Sequence, residues 1–416
     1  MYNILGGNVR RRINKKRAFI AIFIPIFIFT LFIIGCDKNI ENKNLMLDLS
    51  NKTIEEAKKY CEENELILEV KEEYNKVKKG LVINQSISNK TEINPGDKIV
   101  LTVSLGVDYK TLKVDELGNV PIMMYHGIHN VTDNEYTGGN VDKEGYQRTA
   151  KAFREDLEFY YKSGYRMVRL VDYVNGIIDV EAGLSPIILT FDDGLANNIK
   201  VLGLDENGDI IIDPNSAVGI LEEFKSKYPD FNVTATFFVN GGLFSQWEYN
   251  EKILNWLVNN GYDIGNHTYS HIDFTSVTKE KSVQEIGSLY NLLDKYIKGK
   301  YVNILALPFG SPYNKSHENF QYILKGNYNG NYYETISALR VGWEADYSPY
   351  SSNFDKTFLK RIRAYDNNGK EFDIEMNFKI LENNRYISDG DKNTIVIPKN
   401  KESKLRDKYN LEVISY

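Results

Sequence analysis

Cysteine is almost missing: the 416 residues contain two, Cys36 and Cys61. That excludes a disulfide-stapled scaffold, so the fold must be held by packing. Any basic excess is missing too, because 51 lysines and arginines face 57 aspartates and glutamates for a net charge of -6. Nucleic acid is therefore not an expected partner. Histidine is scarce at five, and none follows His317, so a pair at ligand spacing carries weight. The remainder, 42% hydrophobic and 26% charged, is ordinary for globular protein, and the length suits two or three folded units.

One stretch differs from the rest. The basic run Arg10, Arg11, Arg12, Lys15, Lys16, Arg17 precedes the uncharged apolar segment Ala18 to Ile34, the pattern of a secretory signal. The segment is shorter than the roughly 20 residues of a spanning helix, contains Pro25 and ends at Ile33-Ile34-Gly35-Cys36. That ending resembles a bacterial lipobox, which implies cleavage before Cys36 and acylation of its thiol and amino group. An uncleaved anchor helix over residues 1–36 is the alternative. Both readings place the chain at the cell membrane with the remainder on the outer, cell-wall side, because the positive charge stays cytoplasmic.

A polar connector leads to a compact stretch at residues 45–107. A helix is expected after Thr53, with Ile54, Ala57 and Cys61 on one face and Glu56 completing a capping box; Cys61 then acts as a small buried hydrophobe. Leu66, Leu68, Val70 and later Ile99, Leu101, Val103 alternate as strands do, with Asn94-Pro95-Gly96-Asp97 turning between them. In order and spacing, Thr53-Ile54-Glu55-Glu56-Ala57, Gly80 to Ser86 and Pro95 to Ser104 resemble a PASTA domain. No opening proline precedes Leu49, and Ile87 replaces the proline common after Gln-Ser. The resemblance implies either binding of peptidoglycan fragments or a spacer, and no binding residue stands out.

From residue 118 to 365, apolar strand patterns alternate with amphipathic helices. Strands are expected at Pro121 to Tyr125, Arg166 to Leu170, Pro186 to Phe191, Thr234 to Val239, Tyr262 to Gly265, Ile304 to Leu307 and Ile336 to Val341. Helices are expected at Ala152 to Ser163, Lys252 to Asn260 and Lys279 to Tyr296. This repetition predicts an α/β fold, an irregular (β/α) barrel with function on loops at the C-terminal ends of strands. Residues Leu195 to Asn232 lengthen one crossover. Residues 366–416 read as a small β appendage around Tyr386 to Gly390.

Two motifs sit at predicted strand exits. In Thr190-Phe191-Asp192-Asp193-Gly194, adjacent carboxylates diverge and can divide labour between proton transfer and metal binding; the plain alternative is an Asp-Gly turn with a helix cap. In His267-Thr268-Tyr269-Ser270-His271, two imidazoles at i and i+4 can face one ion. With Asp193 they would supply two nitrogens and one oxygen and leave positions open for water and substrate.

Together these motifs resemble the polysaccharide deacetylase family, also called NodB-homology or carbohydrate esterase family 4. Ala235-Thr236-Phe237-Phe238-Val239 and Gly261 to Asn266 fit the same pattern. The resemblance implies Asp192 as catalytic base and Asp193, His267 and His271 as ligands of one divalent metal, zinc in the first instance with cobalt, manganese or nickel as alternatives. The third family motif corresponds to Ala306-Leu307-Pro308-Phe309-Gly310, where Ala306 replaces an arginine that orients the base and the Phe309 N–H remains to hold an oxyanion. The final Leu-x-His motif is absent. His126, in Met124-Tyr125-His126-Gly127, is the candidate general acid, with a structural histidine as the alternative; His129 and His317 read as surface residues. Pro308 and Trp343 are candidates for the wall of a sugar groove.

The implied function is metal-dependent removal of N-acetyl groups from a cell-surface glycan, with peptidoglycan amino sugars first. A secreted N-acetylglucosamine polymer is the close alternative, and xylan O-deacetylation fits an anchored protein less well. A non-catalytic wall-binding protein with a degenerate domain is the rival from another class.

Overall fold

The computed structural model describes residues 43–132, 135, 137–407 and 410–416. The expected signal or anchor and Cys36 lie outside these residues. Among the described residues, no helix is long and apolar enough to cross a membrane.

The first unit starts from a local signal, a helix cap. Helix Ile54–Glu63 starts at a capping box in which the Thr53 hydroxyl accepts the Glu56 N–H at 3.2 Å and the Glu56 carboxylate accepts the Thr53 N–H at 2.9 Å. These bonds satisfy two donors that a helix N-terminus otherwise leaves open. Its apolar face buries Ala57 and Cys61 against Ile99, Leu101 and Val103. Strand Lys98–Ser104 lies between Ile67–Glu73, parallel to it, and Val82–Gln85, antiparallel. Because Ile67–Glu73 is an edge strand, its expected alternation fades: Leu66 is buried, Leu68 half-buried and Val70 exposed.

The second unit is the expected irregular α/β barrel. Its parallel sheet runs, in spatial order, through Phe358–Leu359, Ser337–Leu339, Ile304–Ala306, Asp263–Asn266, Thr236–Val239, Ser185–Phe191, Ile122–Tyr125 and Ile362–Arg363, with Tyr165–Met167 also paired to Ser185–Phe191. The first and last members are two halves of one short segment, 358–363, so this broken strand closes the sheet on itself. Ser185–Phe191 is buried at every residue, as a continuous apolar run covered on both faces should be. Helices Ala150–Lys162, Ala217–Lys227, Asn250–Asn259 and Lys279–Ile297 pack outside, contributing Leu157, Leu221, Leu254 and Leu293 to one core. The lengthened crossover contains a hairpin of Val201–Leu204 with Ile210–Ile212.

Beyond residue 365 the chain departs from the expected β appendage. Helix Ile374–Leu381 inserts Ile374, Phe378 and Leu381 into the barrel core, at i, i+4 and i+7 spacing. A parallel pair, Thr394–Ile397 with Glu412–Ser415, follows, and Ile395 and Ile397 join the other core. The segment around Tyr386 makes only isolated bridges, to Asp115 and Asn119.

Candidate active site

Strand Ser185–Phe191 ends where the Asp192 N–H still donates to the Tyr125 carbonyl at 2.9 Å. The backbone then turns through left-handed conformations at Asp193 (φ 74°) and Gly194 (φ 58°). This separates the two neighbouring carboxylates. Asp192 is buried inside the barrel mouth, while Asp193 reaches across to the histidines.

The histidine loop is built by hydrogen bonds that the strand end sets up. Asn266 Oδ1 accepts the Thr268 N–H at 2.8 Å, and the buried Glu285 carboxylate accepts the Ser270 N–H at 2.7 Å and its hydroxyl at 2.6 Å. These contacts hold Thr268 (φ 63°) and His271 (φ 53°) left-handed, a state costing about 1–3 kcal/mol at each non-glycine position and concentrated at functional sites. His267 Nδ1 donates to the Ala306 carbonyl at 2.8 Å, which leaves Nε2 as the free nitrogen. His267 Nε2 and His271 Nε2 lie 3.3 and 3.4 Å from Asp193 Oδ1. One ligand atom from each of the three residues falls within 4.8 Å of the others. Two imidazole nitrogens, one carboxylate oxygen and a fixed tautomer suit a divalent cation of the zinc type. Desolvation pulls the His267 pKa down and Asp193 and Asp192 together more than reverse it, whereas burial and His267 lower that of His271.

The base candidate has a partner that its local sequence does not reveal. Arg361, fully buried at the break between the closing half-strands, donates from its two terminal nitrogens to Asp192 Oδ1 at 2.8 Å and Oδ2 at 2.7 Å. It also donates to Thr190 Oγ1 at 3.1 Å and, from Nε, to the Arg340 carbonyl at 2.7 Å. The loop after Ser337–Leu339 runs so close that a Cβ at Gly342 would overlap the Arg361 carbonyl. Burial alone would raise the Asp192 pKa, but Arg361 and His267 outweigh it and hold the carboxyl below its ordinary value. A guanidinium thus reaches Asp192 from the break in the closing strand, while position 306 carries alanine.

His126 follows Ile122–Tyr125, the strand beside Ser185–Phe191. Its Nδ1 is shielded from solvent with no hydrogen-bond partner, and its ring meets the Tyr146 ring edge-on at 5.0 Å. Burial lowers its pKa, against the pull of Asp192 and Asp193. A cavity of about 430 Å³ is lined by His126, Asp192, Asp193, His267, His271, Leu307, Phe309 and Val341, together with Asp142, Glu144, Tyr146 and Gln147. Phe309, 57% exposed and at φ 58°, stacks edge-on against His271 at 4.6 Å. Pro308 is buried and Trp343 is 59% exposed, and neither lines the cavity; Leu307 and Val341 of the same loops do. His129 Nε2 pairs with Gln147 at 2.9 Å and His317 Nδ1 accepts the Asn319 N–H at 3.2 Å, both outside the cavity.

Residues 180–323 match the family described as Polysaccharide deacetylase, and residues 45–105 match the PASTA domain. No curated protein matches the chain. Among solved structures it is similar to the Streptococcus pyogenes deacetylase PplD in complex with acetate, at 19% identity over 63% of this chain and 98% of that one, TM-score 0.44. It is also similar to the putative polysaccharide deacetylase BA0330 from Bacillus anthracis, at 18% identity over 60% and 66%, TM-score 0.42. For the polysaccharide deacetylase BC0361 from Bacillus cereus the identity is 17% over 66% and 69%, TM-score 0.41. Asp192, Asp193, His267, His271 and Phe309 fall inside the matched segment; His126 and Arg361 fall outside it.

Proposed function

We propose that this chain, which carries a PASTA domain and a polysaccharide deacetylase domain, is a metal-dependent N-deacetylase of a cell-surface glycan, with peptidoglycan amino sugars as its substrate. The observation that carries this reading is the meeting of an arginine-held carboxylate, an Asp-His-His triad and an unpartnered imidazole around one cavity.

Asp193, His267 and His271 are the residues that would hold the ion, zinc in the first instance. Such an ion supplies Lewis acidity, polarising the acetamide carbonyl and acidifying water. Asp192, kept ionised and oriented by both arms of Arg361, accepts the proton of the attacking water. The Phe309 N–H is the proposed donor to the developing oxyanion. His126 delivers a proton to the departing sugar amine, and acetate leaves. The PASTA domain supports peptidoglycan as the polymer, and an N-terminal attachment through Cys36 or an anchor helix would keep the enzyme on the outer face of the membrane.

The test is acetate release from peptidoglycan and from N-acetylglucosamine oligomers, with metal-loaded and metal-stripped protein beside Asp192→Asn. Metal-dependent release that the substitution abolishes, with metal still bound, is the expected result. Turnover retained by Asp192→Asn would remove Asp192 from the base role; no release from either glycan by metal-loaded protein would overturn the enzymatic reading.

A further inference from the structure

The loop between Asn140 and Arg148 is the part of the cavity wall that the chemistry above leaves without a task. Its two ends are tied together: the Val141 N–H donates to the Gln147 carbonyl at 2.7 Å, and Asn140 bridges to Arg148. Arg148 is itself buried between Asp156, at 2.6 Å, and Asp366, at 2.8 Å. Asn140 Nδ2 adds a bond to the Asp366 carbonyl at 2.7 Å. The five residues between these ties are therefore held over the barrel mouth. Within them, Asp142 Oδ1 accepts the Tyr146 N–H at 3.0 Å, and Tyr146 rests against His126.

Two carboxylates of this loop, Asp142 and Glu144, line the cavity, and no lysine or arginine among the described residues lines it with them. The other charges there are already matched. Asp192 is neutralised from behind by Arg361, and Asp193 faces two imidazoles. Arg363 sits over the Tyr146 ring, outside the lining. The buried, unpartnered Nδ1 of His126 in the same cavity marks the space between loop and triad as one meant for a polar ligand. An acidic wall on the same cavity as the reacting centre favours a cation and repels an anion. In a glycan of N-acetylated sugars, the cation that fits is a free ammonium on an amino sugar next to the one being cleaved.

We infer that Asp142 and Glu144 form a subsite for a protonated amino sugar, so that the enzyme prefers chains that already carry a de-N-acetylated residue beside the target. The inference rests on the deacetylase reading of the cavity and deepens it: the product of one cleavage becomes the preferred neighbour for the next. Acetyl groups would then be lost in clusters along the chain.

Three N-acetylglucosamine pentamers test this, at low salt and at a pH where the amine is protonated. One is fully acetylated, one bears a single internal free amine, and one has that amine succinylated to carry an anion. Binding is measured by calorimetry on metal-loaded Asp192→Asn protein, and acetate release on the metal-loaded wild type. The expected order is amine, then neutral, then anionic, with roughly 3- to 10-fold between amine and neutral, as befits one or two partly exposed charge pairs, and a smaller gap at high salt. In Glu144→Gln, and further in Asp142→Asn/Glu144→Gln, which keeps an acceptor for the Tyr146 amide, the ratio of amine to neutral should fall toward one. Equal binding of all three pentamers, or a preference that survives the double substitution, overturns the inference. Because binding is read without turnover, an absence of acetate release would count against the deacetylase reading alone.

Discussion

The unit at residues 45–105 and the barrel both rest on buried apolar side chains, but they differ in what else they bury. Within the small unit, Ser104 is the one polar residue buried among the described residues. The barrel buries Glu116, Arg148, Asp156, Asp192, His267 and Arg361 as well. A charge taken out of water is costly unless a partner and hydrogen bonds answer it, and the barrel answers each at long range. Arg361 and Asp192 are 169 positions apart in the chain. The small unit needs no such arrangement: its strands also pair across 31 positions, Ile67 with Lys98, but through backbone and apolar side chains, with no buried charge to answer. The difference separates a module held by packing alone from one in which packing positions chemistry.

The sharpest way to break this contrast is Arg361→Met, which leaves Asp192 buried without a counter-charge. Calorimetry should show a loss of about 3–5 kcal/mol from the barrel transition. Acetate release should fall by about 100-fold or more, as for loss of a preorganising charge partner. The low-pH limb of the activity profile should move to higher pH, because burial then raises the Asp192 pKa with only His267 and His126 against it; Arg361→Lys should restore part of both.

The mirror experiment is Leu101→Ala in the small unit. It should cost about 2–5 kcal/mol in that unit's own unfolding transition, while acetate release from short soluble oligomers stays unchanged. Loss of that release would mean that the two units are not separable in function.

Glu116 sharpens the comparison within the barrel. Its carboxylate accepts the Tyr386 hydroxyl and the Val396 N–H, each at 2.7 Å, and burial followed by Asp389 pushes its pKa up to about 8. A folded-state pKa above the unfolded value means stability fully present below about pH 4.5 and lost as pH rises toward 8. Glu116→Gln, a neutral analogue of the protonated acid, should flatten that slope and leave the protein roughly 1–4 kcal/mol more stable than wild type at alkaline pH. Denaturant melts at acid and alkaline pH would read it; parallel slopes would refute it. The smallest effect expected is from Thr53→Ala, about 1 kcal/mol from the loss of one cap, seen in the small unit's transition alone.

Much of this architecture was legible because its signals are local. The run Ile187 to Phe191 before Asp192-Asp193-Gly194, and Tyr262 to Asn266 before His267, place both motifs at strand ends, and Thr53 with Glu56 announces a helix start. Arg361 was not legible, since it sits between half-strands of two residues, too short for any alternation to register. The helix Ile374–Leu381 did leave a signal, in the spacing of Ile374, Phe378 and Leu381, which the nearby turn-rich segment obscured. Trp343 is a different case: it is exposed on the loop of the lining residue Val341 without lining the cavity itself, and position along the chain does not say which way a loop side chain faces.

The broken strand at 358–363 has a consequence for the order in which the enzyme comes into being. Synthesis makes Asp192 and both histidines long before residue 361. A chain that ends short of that point, or whose last strand has not docked, leaves Asp192 without the guanidinium that does most to oppose its protonation, and a protonated carboxyl accepts no proton from water. Completion of the sheet and docking of the guanidinium on Asp192 are therefore one event, so a truncated or half-assembled copy lacks the ion pair on which the proposed base depends.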